Sequence, residues 1–326
     1  MHLFNFVLIL QATKKQSNAQ KKRLYKKISL FKVKKNLYYY ICIGKLTLEI
    51  LLMNRKTFIV PHDFTPVANI ALQHAVATAK PLDAKVYVLH VVAKEKNIDE
   101  AEEKLKSILN SFNADGVELI PYVRIGSIYE EIGDFAAELH AELIFMGTHG
   151  AHGWQHLTGS NALKVITSSS VPFIVVQEKG IKETGYDDIV VPMDLHKETK
   201  QKLAIVANLA AYFKSRVHVI TPDETDEFLK HQVQANIQFA NRFFSERGIE
   251  ITTTVAPSSG FDKEVVKHAV NIDADLIAIM NLNKSNFLGS ITANYEQYII
   301  TNDAKIPALV VNPIDLNPYG QSVLFS

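Results

Sequence analysis

Apolar residues in this chain fall into short runs rich in Val and Ile, separated by longer stretches in which they recur at every third or fourth position. The first run, at 57–61, is followed by Ala68, Ala71, Leu72, Ala75, Val76 and Ala79, whose spacing makes one face of a helix. A second run at 85–92 precedes a helical pattern over 98–112. The same alternation predicts a strand at 117–124, a helix at 128–139 and a strand at 142–146, then a helix at 160–167 and a strand at 173–177. Strands that are apolar throughout and alternate with helices belong to a parallel sheet covered on both faces.

The pattern then repeats. FIVPHD at 58–63 returns 131 residues later as IVVPMD, and AKVYVLHVV at 84–92 returns at the same offset as SRVHVITPD. AELIFMG pairs with ADLIAIM, GSNALKVI with GSITANYE, and VPFIVV with IPALVV. Five landmarks in one order predict two homologous domains, at 53–180 and 186–314, joined by the polar, glycine-punctuated EKGIKETGY. In open sheets of this kind ligands bind beyond the carboxyl ends of the strands, where the direction of connection reverses. Both PHD after the first strand and the glycine stretch after the fourth are such ends. If those two strands are neighbours, the motifs face one crevice.

Charge sets the first 52 residues apart. They hold 11 of the 35 Lys and Arg but one of the 34 acids, so this segment is +10 and the remainder, with 24 basic and 33 acidic residues, is −9. The body therefore has no bulk charge for nucleic acid, and neither a nucleic-acid nor a membrane partner is expected. The segment's apolar run, LFNFVLIL, is too short to span a bilayer and precedes its basic residues, the reverse of a secretion signal. Met53, followed at once by a polar lead and a strand, reads as the natural start, with 1–52 an upstream stretch; a basic arm or a targeting signal is the alternative. The single cysteine, Cys42, also lies there, so no intrachain disulfide forms and the cytoplasm is the expected location.

The stretch MGTHGAHGWQHLTGSNALKV at 146–165 carries the candidate chemistry. Gly147 and Gly150 bring backbone N–H groups close to any anion, and Gly159-Ser160 opens a helix whose amino terminus adds further donors. A plain glycine loop fits the spacing equally well. His149, His152 and His156 suggest a metal, but no Cys, Asp or Glu accompanies them between 146 and 177, so solvated loop histidines are expected and no metal site is assigned. No P-loop, nucleophile elbow or reactive cysteine is present, and catalysis beyond incidental ATP hydrolysis is not expected.

In order and spacing, VPHDFT, LHVV, LIFMGTHG, TGS and VPFIVV resemble the universal stress protein family, in two tandem copies. The resemblance implies an adenine-nucleotide alpha hydrolase-like α/β fold: two doubly wound parallel five-stranded sheets of order 3-2-1-4-5. It also implies a stress-response regulator that binds ATP, with Mg²⁺ as companion. Carried across by motif, Asp63, after Pro61, would face the base with Val91 or Val92 packed on it. Met146, Gly147, Gly150, Gly159, Ser160 and Asn161 would line the phosphates and ribose. Where the family pattern has nine residues between the second and third glycines, this chain has the eight at 151–158. In the second copy Met280 and Asn283 fall where glycines belong, so no tight site is expected there, and that copy is read as a built-in partner. The last strands, FIVVQ and ALVVNP, are expected to pair with each other within one chain, with a homodimer as a further possibility. Two rival classes stay open: a ligand-free interaction module, and an adenylate-forming or nucleotidyl-transfer enzyme on a related fold.

Overall fold

A computed structural model describes residues 55–148, 159–195, 197–282 and 293–313. The ten strands lie in one compact unit that begins at Lys56. The first half runs β1 (Thr57–Pro61), α1 (Pro66–Ala79), β2 (Lys85–Val92), α2 (Ile98–Ser111), β3 (Leu119–Ile125), α3 (Ile128–Glu138), β4 (Leu143–Gly147), α4 (Gly159–Ser168) and β5 (Phe173–Val176). The second half runs β6 (Asp188–Pro192), α5 (Leu203–Phe213), β7 (Arg216–Asp223), α6 (Glu227–Ser245), β8 (Ile251–Pro257), α7 (Phe261–Asn271), β9 (Leu276–Met280), α8 (Ala293–Ile300) and β10 (Ala308–Val311).

The strands form a single sheet of order β3-β2-β1-β4-β5-β10-β9-β6-β7-β8. Each half is thus a doubly wound sheet in the order 3-2-1-4-5, read inward from the outer edge. Alternate strand residues enter opposite layers. Phe58 and Val60 join α1, α2, α5 and α6 in one apolar layer, whereas Ile59 joins α3, α4, α7 and α8 in the other. Both layers run through both halves, which is why runs such as IVV are buried on every residue.

Within each half the strands pair parallel; the halves meet at β5 and β10, which pair antiparallel with Leu309 opposite Ile174. Polar side chains flank this junction. Asn312 donates to the carbonyls of Ile166 (2.6 Å) and Ser169 (2.8 Å), while Gln177 donates to the carbonyl of Asn302 (3.1 Å). Each half thus caps the end of the other half's last helix, satisfying carbonyls that a helix terminus leaves open.

The connection between halves is pinned to α1. His74 Nε2 donates to the Lys179 carbonyl (3.1 Å), so Nδ1 accepts the proton of the Tyr186 hydroxyl (2.9 Å). Gly185, at φ +90°, carries the chain past Phe213 so closely that a Cβ there would lie 2.1 Å from the ring.

The expected elements match the observed ones to within one or two residues at most ends. One alignment shifts: α8 starts at Ala293, and its buried Ile299 and Ile300 take the places of Val165 and Ile166 in α4. GSITANYE therefore does not superpose on GSNALKVI, because the second copy carries one more residue between the fourth strand and the helix; Gly289 and Ser290 themselves lie outside the described residues.

Candidate functional site

The topology places β1 beside β4, with Phe58 opposite Leu143, while their helices leave for opposite faces of the sheet. A crevice opens beyond the carboxyl ends of such a strand pair. Pro61 and Asp63 leave the sheet there from one strand, and Met146 and Gly147 from the other.

Asp63 shapes the entry into α1. Its Oδ1 accepts from the Thr65 N–H (3.1 Å) and the Thr65 hydroxyl (2.5 Å), while Thr65 Oγ1 in turn accepts from the Ala68 N–H (3.3 Å). Thr65 is the N-cap and Pro66 the first helical residue, a pairing suited to a helix start. Asp63 therefore has a structural task through one oxygen, whatever else it meets.

Behind it lie two histidines that the sequence reading passed over. His62 is fully buried; its Nδ1 accepts from the Phe64 N–H (3.1 Å), which places the proton on Nε2, bonded to Asn69 Oδ1 (3.0 Å). Burial lowers its pKa, with Asn69 opposing, so the neutral ring is favoured. His90 Nδ1 donates to the His62 carbonyl (2.7 Å), and its pKa is also lowered by burial. Phe64, at φ +67°, lies against His90 with the rings tilted and their centroids 4.2 Å apart, and carries Lys104 Nζ 4.3 Å from its ring centroid. The sequence signal for this cluster was PHD itself, where only the carboxylate had been singled out.

Gly147 is close to α1. A Cβ there would meet Val67 Cγ1 at 2.7 Å, Val67 O at 2.9 Å and Val67 C at 3.0 Å. A glycine is thus required for packing against the first turn of α1. Val91, Val92 and Met146 are buried in the sheet, 7%, 6% and 1% exposed, and Val91 and Met146 belong to the same apolar layer. Gly159, Ser160 and Asn161 form the first turn of α4. Gly150, His149, His152 and His156 lie outside the described residues.

The second crevice differs. Met280, 4% exposed, ends β9 where Gly147 ends β4. Lys202, only 2% exposed at the N-cap of α5, donates to the Pro192 carbonyl (2.5 Å) and to Thr199 Oγ1 (2.9 Å). Burial lowers its pKa to about 8, against the raising influence of Asp194. Asn283 lies outside the described residues.

Among the described residues there is no group of three His, Cys, Asp or Glu able to hold a metal, and no helix long and apolar enough to cross a membrane.

Comparison with known proteins adds to this geometry. The sequence profile of the Universal stress protein family matches residues 54–177. Universal stress protein MJ0531 of Methanocaldococcus jannaschii is 31% identical over 140 residues, which cover 38% of this chain and 82% of that protein. The crystal structure of a universal stress protein from Archaeoglobus fulgidus DSM 4304 is 18% identical with a TM-score of 0.62; the match spans 81% of this chain and 98% of that one. It shares the fold across both halves. A further structure, of the universal stress protein from Archaeoglobus fulgidus in complex with dAMP, is 24% identical over 38% of this chain and 98% of that one, with a TM-score of 0.33.

Proposed function

Since this chain belongs to the universal stress protein family, we propose that it is a stress-response regulator that binds an adenine nucleotide, ATP with Mg²⁺ foremost, in the crevice of its first half. The supporting observation is that β1 and β4 are neighbours, so Asp63 and Gly147 leave the sheet at one point, with α4 beginning at Gly159. An exocyclic amine would find an acceptor in Asp63, and phosphates would find backbone N–H groups around Gly147, Gly150 and the α4 amino terminus, with Ser160 and Asn161 beside the ribose. When bound, Mg²⁺ would neutralise phosphate charge. No nucleophile is assigned, so function follows from occupancy and not from turnover. The two halves, at 53–180 and 186–314, act in this reading as partners within one chain in the cytoplasm.

A second reading, the ligand-free interaction module, is favoured by the eight-residue spacing between Gly150 and Gly159. The two part in a thermal-shift titration of the full chain with millimolar ATP and Mg²⁺, repeated with Asp63→Ala. Ligand that binds only the native state raises the melting temperature. The nucleotide reading expects a rise in the parent, reduced at least tenfold in apparent affinity in the variant. No rise in either protein would sink it and favour the module.

A further inference from the structure

The two copies run in step over β1 to β2 and β6 to β7. Thr57 pairs with Lys85 as Asp188 pairs with Arg216, and the Ala84 N–H bonds the Ala79 carbonyl as the Ser215 N–H bonds that of Ala210. Asp83 and Lys214, the turn residues between, are both left-handed. Ala71 and Lys202 therefore hold the same place. In α4 and α8 the Thr167 hydroxyl donates to the Leu163 carbonyl as the Thr301 hydroxyl donates to that of Gln297. Ala162 and Glu296 hold the same place in turn.

Both first-half residues are alanines with no exposed surface. Both second-half residues are charged and still buried, Lys202 at 2% and Glu296 at 1% exposure. Buried charge is costly unless it meets partners. Glu296 meets one in the backbone: its Oε1 accepts the N–H of Leu282 at 3.0 Å, two residues beyond the end of β9. It does so from the first turn of α8, where the helix dipole favours negative charge. Because β6 lies beside β9, the two charges enter the second crevice from opposite layers, Lys202 at the end of β6 and Glu296 just past β9.

We propose that the second crevice is occupied by the chain's own carboxylate: Glu296 takes the strand-end N–H that a phosphate would otherwise meet, so the second half is closed to phosphate-bearing ligands. Glu296 is then the residue that fixes how many nucleotides a chain takes. Its first-half counterpart, Ala162, has no carboxylate to offer. Only the identity of the first-half ligand rests on the nucleotide reading; the closure of the second half does not.

The test is equilibrium dialysis of the full chain against pyrophosphate, and against ATP with Mg²⁺, for the parent, Glu296→Ala and Glu296→Gln. Glu296→Ala is expected to take up one more equivalent of pyrophosphate per chain than the parent. Glu296→Gln retains an acceptor for the Leu282 N–H and is expected to show no gain. A parent that already binds two equivalents of either probe overturns the proposal without any variant. So does an alanine variant that melts cooperatively yet gains nothing; Glu296→Ser repeats that arm if alanine disturbs α8. Failure of the nucleotide reading alone would appear differently, as absent ATP uptake in the parent with the pyrophosphate increment of Glu296→Ala intact.

Discussion

His74 ties the acid stability of the protein to the connection between its halves. The ring is 1% exposed, held between the Tyr186 hydroxyl and the Lys179 carbonyl, and burial lowers its pKa from 6.5 to about 4. The small cavity beside the ring is also lined by Lys182 and Asp275, which pair with each other. With the folded pKa depressed, the unfolded chain binds the proton first. The stabilisation is therefore complete above pH 6.5, declines as pH falls, and is fully lost below about pH 4. A shift of this size corresponds to about 3 kcal/mol over the whole window, of which about 2 kcal/mol is lost between pH 7.5 and pH 5. His62 and His90 shift in the same direction, so the parent alone does not isolate the effect. Equilibrium urea unfolding of the parent and of His74→Gln does, since glutamine offers a donor and an acceptor but does not titrate. The parent's loss of stability between pH 7.5 and pH 5 is expected to exceed that of the variant by about 2 kcal/mol. Equal losses would refute the assignment of a buried neutral histidine to this joint.

Three further outcomes are expected. Gly147→Ala should destabilise the fold by about 1–3 kcal/mol with no ligand present, because the new methyl meets the backbone of Val67; urea unfolding within 0.5 kcal/mol of the parent would show that α1 can give way, on the usual scale of neutral changes. Lys202→Met should flatten the alkaline limb of stability: with the pKa lowered to about 8, the parent's folded state gains on the unfolded one as pH rises from 8 to 10.5, by up to about 3 kcal/mol, and the variant's does not. Thermal unfolding at pH 7.5 and pH 10 reads the difference. Asn312→Ala should cost about 2–4 kcal/mol, as it strands two carbonyls and an Asn281 N–H, whereas Gln177→Ala, which gives up one longer bond and already has an unpaired Oε1, should cost less.

What was legible in the sequence was whatever a run of neighbouring residues decides together. The apolar periods placed β1, α1 and β2 because β1 is buried on every residue, β2 on most of its residues and α1 on one face, and the repeated Val-Pro-x-Asp marked the equivalent strand ends. What stayed hidden depends on residues far apart. That Gly147 is demanded by Val67, 80 positions earlier in the chain, follows only once α1 lies across the end of β4. The role of His74, a polar residue among apolar ones in α1, follows only once the connection folds back on it. Glu296 was hidden because GSITANYE and GSNALKVI share an opening Gly-Ser that suggests one register, whereas burial of Ile299 and Ile300 sets the helix further along.

The antiparallel β5–β10 junction explains why such a difference between halves is tolerated. In a symmetric pair of identical chains every substitution appears twice, so a carboxylate that closed one crevice would close both. Here the two crevices belong to one chain and differ in sequence, Ala71 and Ala162 in the first against Lys202 and Glu296 in the second. The sheet and its two apolar layers run unbroken through both halves, so the second half still covers β5, which alone would be an edge strand of the first half. Packing at the junction and openness of the second crevice are then separate properties, carried by different residues: Ile174, Leu309, Gln177 and Asn312 for the first, Glu296 for the second. Glu296→Ala should accordingly raise ligand stoichiometry while leaving the melting cooperativity of the ten-stranded body unchanged, and Asn312→Ala should do the reverse.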